Sequence, residues 1–499
     1  MSITDLLRRE WAAFRRPGRL TALAVAVLAV IGLGLSSASG SHSSCDGPCP
    51  ASPATPVAAD GSAVGDTFWF LHRGLGRQGA ITVRMTSMTG TITYPPPNHD
   101  SIVAGLVPWA KAGIIVKDGP RQGSRYAALA MTGAHGVRFQ YDYRHDVAGS
   151  RDRLPRWLRL TRSGDTITGA ESADGNRWHT VGTATLAGLP DTVRVGLFAT
   201  SPGDLTLRET GLGGAVEESR FTQAVGVFDH VTVEGGDGDW VSEPVGQMNQ
   251  TDWEKYHNPS GAVRKGEVVT VSGTGDIGPL GEDSPRVVEN LLAGLVIALA
   301  VVLVVAARLG SRTAREAVPR RVVAVRAAVA GVAAFVTGLV AAGVVLPVGI
   351  AIMKGNGVPA QPLPLLTGAR VIAGAGLVLA LGAVLAYGLG VWLRRAAALV
   401  ALALVALPYG LTAFPLLPDA VAGWLLRLTP AAGFAVLQTR VEYPQVTAHY
   451  APSAGYFPLP GWAGLAVLGA YAAVATWWAL RRGAAPVPSA PPGSGIIAG

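Results

Sequence analysis

The chain has 499 residues, 49 % of them hydrophobic, and a formal net charge of +8. Its Ala, Leu and Val run together near the N-terminus and after residue 287, which excludes one ordinary soluble domain and points to a membrane protein with a large aqueous insertion. The positive charge is nearly all arginine, with five lysines in the whole chain. It gathers at the ends of apolar runs with no interleaved aromatic stripe, so nucleic acid is not an expected partner.

Residues 2–17 read as an amphipathic helix. Ser2 with Asp5 three positions on is a capping pattern, and Pro17-Gly18 ends the segment. Leu7, Trp11 and Phe14 share one face, while Arg8, Arg9, Arg15 and Arg16 share the other. Such a helix lies in a membrane interface; the plainer alternative is a basic leader before a signal sequence. Residues 20–37 are just long enough to cross a bilayer. The small residues of SSASG that follow offer a signal-cleavage site, but the length and amphipathicity of the leader favour a retained anchor.

Residues 38–65 form a Ser/Pro/Ala/Gly linker that holds Cys45 and Cys49, the only cysteines. Two thiols do not make a four-ligand zinc site, and no metal site is expected. Outside the cytoplasm the pair would close a small disulfide loop; two unlinked thiols in a linker is the equal alternative.

From 66 to 235 the pattern changes to short alternating strands at 66–72, 80–88, 90–94, 112–118, 126–133, 135–143, 156–164, 166–173, 177–186, 192–201 and 225–235. That spacing predicts an all-β sandwich or jelly roll. Asp174-Gly175 reads as a hairpin turn, and Trp157 and Trp178 are expected to face the inter-sheet core. Residues 74–79 match G-x-G-x-x-G, but no helical pattern follows, so the match is fortuitous. A glycosidase would need two carboxylates across one bond. Asp118, Asp165, Glu171 and Asp174 qualify only by residue type, since three of them sit in turn contexts. Trp69 and Trp109 are candidates for stacking on a sugar, with burial in the core as the competing account. Residues 236–287 read as a stalk.

Five further apolar runs follow, at 288–307, 322–352, 371–391, 396–414 and 461–480. Residues 420–439 are apolar but broken by Arg427 and Pro430, which predicts a re-entrant segment. The expected fold class is a membrane α-helical protein of six transmembrane helices with an inserted all-β jelly-roll or sandwich ectodomain. The arginines before 20, in 308–326, at 394–395 and at 481–482 then fall on one side. The positive-inside bias makes that side the cytoplasm, with both termini there and the β-domain outside. Residues 483–499 read as a disordered cytosolic tail.

The segment 308–326 carries six arginines against one acid, Glu316, and reads as a loop between two spans. Between residues 292 and 417 Glu316 is also the sole acidic residue. An ion-coupled transporter needs protonatable or sodium-binding groups near the midplane, so this chain is not expected to drive transport itself. It has no G-x-x-x-x-G-K-[ST] phosphate loop either.

The order of LLRREWAAFRRP, one span, an external insertion, REAVPRRVVAVRAA, and LTPAAGFAVLQT before the last span resembles the type-2 ABC transporter permeases. WAKAGIIVKD, PRWLRLTRSGDTITG, SADGNRW and VRVGLFATSP, in that order, resemble a concanavalin-like, laminin-G-like jelly roll. The combination resembles permeases of actinobacteria, and it implies a multi-pass protein of the bacterial plasma membrane. It further implies an exporter subunit with no catalytic residue and no cofactor, a second permease copy beside it, and lipid around it. A separate ATPase would touch Thr313, Arg315, Glu316, Pro319, Arg320 and Arg321, with Pro319 ending a coupling helix. The segment departs from the family in reading ARLGSRTARE where an E-Y-R-R-like start is common. The alternative is a membrane-anchored carbohydrate-binding or sensing protein.

Overall fold

The computed structural model describes residues 2–41, 55–93, 101–152, 154–209, 215–249, 252–280, 287–316, 318–356, 363–413, 417–439 and 441–482. Cys45, Cys49 and the tail 483–499 lie outside the described residues.

Helix α1 (Ile3–Phe14) begins where the Ser2 hydroxyl accepts from the Asp5 N–H at 3.2 Å. Helix α2 (Pro17–Gly40) begins with a proline in its first turn, where the missing N–H is not needed. The β-domain follows: β1 (Val64–Asp66), β2 (Phe68–Thr93), β3 (Ile102–Ala104), β4 (Lys111–Lys117), β5 (Tyr126–Thr132), β6 (Val137–Tyr141), β7 (His145–Ala148), β8 (Arg156–Ser163), β9 (Thr166–Ser172), β10 (His179–Thr185), β11 (Val193–Thr200), β12 (Asp204–Glu209) and β13 (Ala215–Val245). A short helix α3 (Asp252–His257) precedes β14 (Gly261–Lys265), β15 (Val268–Gly273) and β16 (Ile277–Pro279).

β2 is the spine of this β-sandwich. Its first half pairs with β11, setting Leu71 opposite Leu197, and its second half pairs with β8 from Gln78–Ser163 to Met85–Arg156. β13 runs antiparallel along nearly all of it, from Phe68–Val245 to Thr93–Phe221. The order β10-β9-β8-β2-β11-β4-β5-β6-β7 therefore folds around β2 into two facing layers. Ile81, Val83, Leu158, Leu160 and Ile167 meet Ile114, Val116, Leu129, Phe139 and Val195 between them. The Phe139 ring lies over Gly169 and Gly182, where a Cβ would stand 2.6 and 2.7 Å from ring carbons.

Three expectations change here. The strands expected at 66–72, 80–88 and 90–94 are one strand, because the glycine-rich 74–79 stays in the ladder opposite bulges of β13. Residues 236–279 are not a stalk. β13 continues to Val245, β15 pairs with it, and β16 closes on β1. Trp157 does not face the core. Strand parity gives the inner face to Leu158 and Leu160, so Trp157 points outward, with the Arg84 guanidinium 5.9 Å from its ring centre. Trp178 likewise sits half-buried beneath Arg159, at 4.1 Å.

The chain then enters a helical bundle: α4 (Val287–Leu291), α5 (Leu295–Glu316), α6 (Arg320–Gly355), α7 (Leu365–Leu393), α8 (Ala397–Ala413), α9 (Asp419–Leu428) and α10 (Gly461–Arg482). Among the described residues five helices are long and apolar enough to cross a membrane: α2, α5, α6, the run Leu365–Gly410 and α10. The fourth is interrupted by the 3-10 turn Arg394–Ala396, where Arg394 has φ +52°. α9 and the 3-10 segment Pro430–Leu437 meet at 98°, the break foreseen at Pro430, and every residue of Pro430–Leu437 is buried. Small residues let the helices close in. A Cβ on Gly338 of α6 would stand 2.7 Å from the Ala375 carbonyl oxygen of α7.

Candidate functional site

The segment 308–326 is not a loop. α5 runs through Arg308, Arg312 and Arg315 to Glu316, and α6 starts at Arg320 with Pro319 at its N-cap. Pro319 begins a helix here and does not end one, because proline fits the entry to a helix and not its interior. The misreading has a physical source: arginine, alanine and glutamate are good helix formers, and a charged face needs water, not a loop.

Arg308, Arg312, Arg315, Glu316, Pro319, Arg320 and Arg321 are all exposed on this helical tip. Thr313 is buried, and its hydroxyl donates to the Leu309 carbonyl at 3.0 Å. It accepts from Arg326 Nη1 at 3.2 Å and from the Tyr387 hydroxyl of α7 at 3.3 Å. Of the six residues singled out in the sequence, five share the surface and Thr313 works underneath it.

Arg326 is the centre of that interior network. Its Nε donates to Glu10 Oε2 at 2.8 Å, and its Nη1 donates to Glu316 Oε2 at 2.6 Å. The Arg326 side chain is 16 % exposed and that of Glu10 9 %, so the pair is shielded, whereas Glu316 is open to water. One guanidinium thus ties α1, α5 and α6 together, with α7 joined through Thr313. A pocket of about 70 Å³ lies beside it, lined by Glu10, Phe14, Arg19, Arg312 and Arg326 among others.

On α1, Phe14 is buried, Trp11 is half-buried and Leu7 is 39 % exposed. The face turned to the bundle is Leu6, Glu10 and Phe14, at i, i+4 and i+8. Glu10 was legible as the lone acid of LLRREWAAFRRP, but its partner lies 316 positions away.

Further contacts join the basic segments. Ser311 of α5 donates to the Arg394 carbonyl at 2.7 Å, and Arg482 of α10 donates to the Trp392 carbonyl at 3.2 Å. The tips of α5–α6, the α7–α8 turn, the end of α10 and α1 therefore share one end of the bundle. At the other end, Asn356 donates to the Ala38 and Ser41 carbonyls, Glu289 accepts from Thr439, and Arg370 donates to the Gln438 carbonyl. There Gln445 donates to the Arg144 carbonyl of the β-domain at 3.0 Å.

Among the described residues no hydrogen bond or ion pair links two of the four β-domain carboxylates, and each has its own surroundings. Glu171 is buried and held by Arg156 Nε at 2.9 Å and by the Ser150 N–H and hydroxyl at 2.7 and 2.6 Å. Asp174 accepts the backbone N–H groups of Arg177 and Asn176, which with the Ser172 hydroxyl bring its carboxyl down to about 2. Asp165 accepts from Gly188 N at 3.0 Å. Asp118 is half-buried beside Lys117. Trp109 is 6 % exposed and stacked on His135, and the Trp69 indole N–H donates to Ser242 Oγ at 3.0 Å. Among the described residues no cluster of three or more His, Cys, Asp or Glu suits a metal ion.

No family model matches the chain, and no curated protein matches it. Solved structures with some similarity include a functionally unknown protein from Saccharomyces cerevisiae, at 16 % identity over 34 % of this chain and 75 % of that one, with a TM-score of 0.21. Scytalido-glutamic peptidase with a transition-state analogue inhibitor is similar at 8 % identity, over 42 % of this chain and 99 % of that one, with a TM-score of 0.26. A GH43 protein from Bacillus licheniformis is similar at 15 % identity, over 25 % of this chain and 24 % of that one, with a TM-score of 0.18. With TM-scores this low they assign neither a family nor an activity to this chain.

Proposed function

We propose that the chain is the membrane-spanning permease subunit of an ABC-type exporter, driven by a separate ATPase seated on the α5–α6 tip. It crosses the bacterial plasma membrane six times, with a second permease copy beside it. α2, α5, α6, α7, α8 and α10 are the crossings. The α7–α8 run counts as two because Arg394 lies by Ser311 at the basic end, while Tyr409 stacks 4.3 Å from Phe434 toward the opposite end. Both termini face the cytoplasm and the β-domain faces outward.

The observation that carries this reading is the convergence of the arginines of α1, the α5–α6 tip, the α7–α8 turn and the end of α10 on one end of the bundle, opposite the β-domain. At that end the surface is built of Arg308, Arg312, Arg315, Arg320 and Arg321. It suits an acidic face on a partner and stands on the Arg326 network that reaches three other helices. The apolar runs of the spans hold no acid and the sequence has no phosphate-loop motif, which supports a motor in another chain.

The test is purification of the full-length chain from its native membranes. The expected companion is a protein carrying a phosphate-loop motif, with ATP hydrolysis in the complex. Arg320→Glu with Arg321→Glu should abolish that association while leaving the chain folded in the membrane. Retention of the ATPase by the double variant would overturn the docking assignment.

A further inference from the structure

Beside α1 the bundle carries an apolar groove of about 280 Å³, walled by Leu7 and Trp11 of α1 and by Ala328, Val329 and Val332 of α6, with Arg8 on its rim. Val332 is 55 % exposed and Leu7 39 %, so these walls are open along the side of the bundle. Arg8 and Arg9 are both exposed on α1. Arg321 extends that charge onto α6: it lies seven residues before Ala328, on the same face and about 10 Å along the axis. Of the two acids of α1, Glu10 is buried against Arg326, and Asp5 lies in the first turn, at the far end from Trp11.

A slot that is apolar along its length and cationic at its aqueous end matches a phospholipid with a negative headgroup. We propose that this groove holds one acyl chain of an anionic phospholipid, with the lipid phosphate against Arg8 and Arg321. An acyl chain supplies the apolar contact that α1, an interfacial helix on one side only, leaves unmade. The phosphate supplies the counter-charge, so bound lipid would help hold α1 where Glu10 and Arg326 meet. This inference rests on the reading of the chain as a membrane protein and not on the ATPase.

The experiment is native mass spectrometry of the full-length chain in detergent, titrated with phosphatidylglycerol or phosphatidylcholine of the same acyl composition. The expected result is one retained phosphatidylglycerol in clear preference to phosphatidylcholine. Arg8→Ala and Arg321→Ala should each cut that preference about fivefold. Val332→Trp, which fills the slot from an exposed position, should cut retention of both lipids. Val340→Trp, on an exposed position further along α6, should cut neither. Equal retention of the two lipids would overturn the proposal, as would unchanged retention in Val332→Trp. So would a change in dimer mass without a change in lipid count, which would make a second copy the occupant. ATPase co-purification read on the same samples separates this outcome from failure of the docking assignment.

Discussion

Lys117 Nζ lies 2.7 Å from Asp66 Oδ2, and neither side chain is exposed. Lys117 also donates to the Ser124 carbonyl at 2.9 Å, and the Tyr143 hydroxyl donates to Asp66 Oδ2 at 2.7 Å. The rings of Phe68, Tyr126 and Tyr143 surround the ammonium at 5.6 to 6.0 Å. Burial draws the Lys117 ammonium below its ordinary pKa despite Asp66, and burial pushes the Tyr143 hydroxyl up. At the other end of β4, Lys111 holds Asp276 at 2.8 Å and the Ile277 carbonyl at 2.6 Å. One strand thus pins β1, where the chain enters the β-domain, and β16, where it leaves.

Lys117→Met should therefore loosen the attachment more than its lost packing explains, since it strands the Asp66 carboxylate in the interior. The expected loss is about 3–5 kcal/mol in unfolding of the full-length protein. Lys117→Met with Asp66→Asn should recover much of it. A double variant no more stable than Lys117→Met would show that the pair is not what matters at this position.

The Arg326 network makes a second prediction. Arg326→Gln removes the charge and shortens the side chain, leaving Glu10 buried without its ion-pair partner. The α1 helix should come away from α6, at a cost of about 1.5–3 kcal/mol for hydrogen bonds to charged groups. Faster proteolysis within residues 2–16 and a red-shifted Trp11 emission, with the other tryptophans replaced, would report it. Glu10→Gln should produce the same exposure, and the two changes together should cost less than their sum.

The sequence shows some of this and hides the rest. The helices long and apolar enough to cross a membrane are legible because length and apolarity are both local properties. Pro430 shows the 98° bend for the same reason. The α5–α6 tip has the charged composition of a loop but the backbone of a helix, since Arg308 to Glu316 has no helix breaker except Gly310. Gly310 is there for packing, since a Cβ would stand 3.0 Å from the Gly390 Cα. In the sandwich the strands are legible, but which face each strand buries is not. Trp157 is larger than Leu158, yet alternation of 158, 160 and 162 assigns the interior. The Lys117–Asp66 and Glu10–Arg326 pairs are illegible because each joins residues far apart in sequence.

Acid should weaken the β-domain at a definite place. Arg84 grips Asp229 with two hydrogen bonds, of 2.8 and 2.5 Å, and these together with His230 bring its carboxyl from 3.8 down to about 2. A depressed carboxyl pKa contributes stability that is complete above pH 3.8 and is lost as the pH falls toward 2. Water reaches Arg84, so the contribution is about 1 kcal/mol. Thermal melts of the wild type should fall across that window. Asp229→Asn should start lower at neutral pH and lose less on acidification, and parallel curves for the two proteins would refute the assignment.

Helix packing gives a prediction with opposite signs at two glycines of α6. Gly338 meets the α7 backbone, where an added Cβ would stand 2.7 Å from the Ala375 carbonyl oxygen and 2.8 Å from the Gly376 Cα. Backbone does not swing aside as a side chain does, so Gly338→Ala should separate α6 from α7 and cost about 1–3 kcal/mol. Gly343, five residues on, would place its Cβ no nearer than 3.9 Å from Ile372. Gly343→Ala should gain about 0.5–1 kcal/mol from restricted backbone freedom alone. Reversible unfolding of the full-length protein in mixed detergent micelles reads both. If Gly338→Ala proves as well tolerated as Gly343→Ala, α6 and α7 do not approach through Gly338.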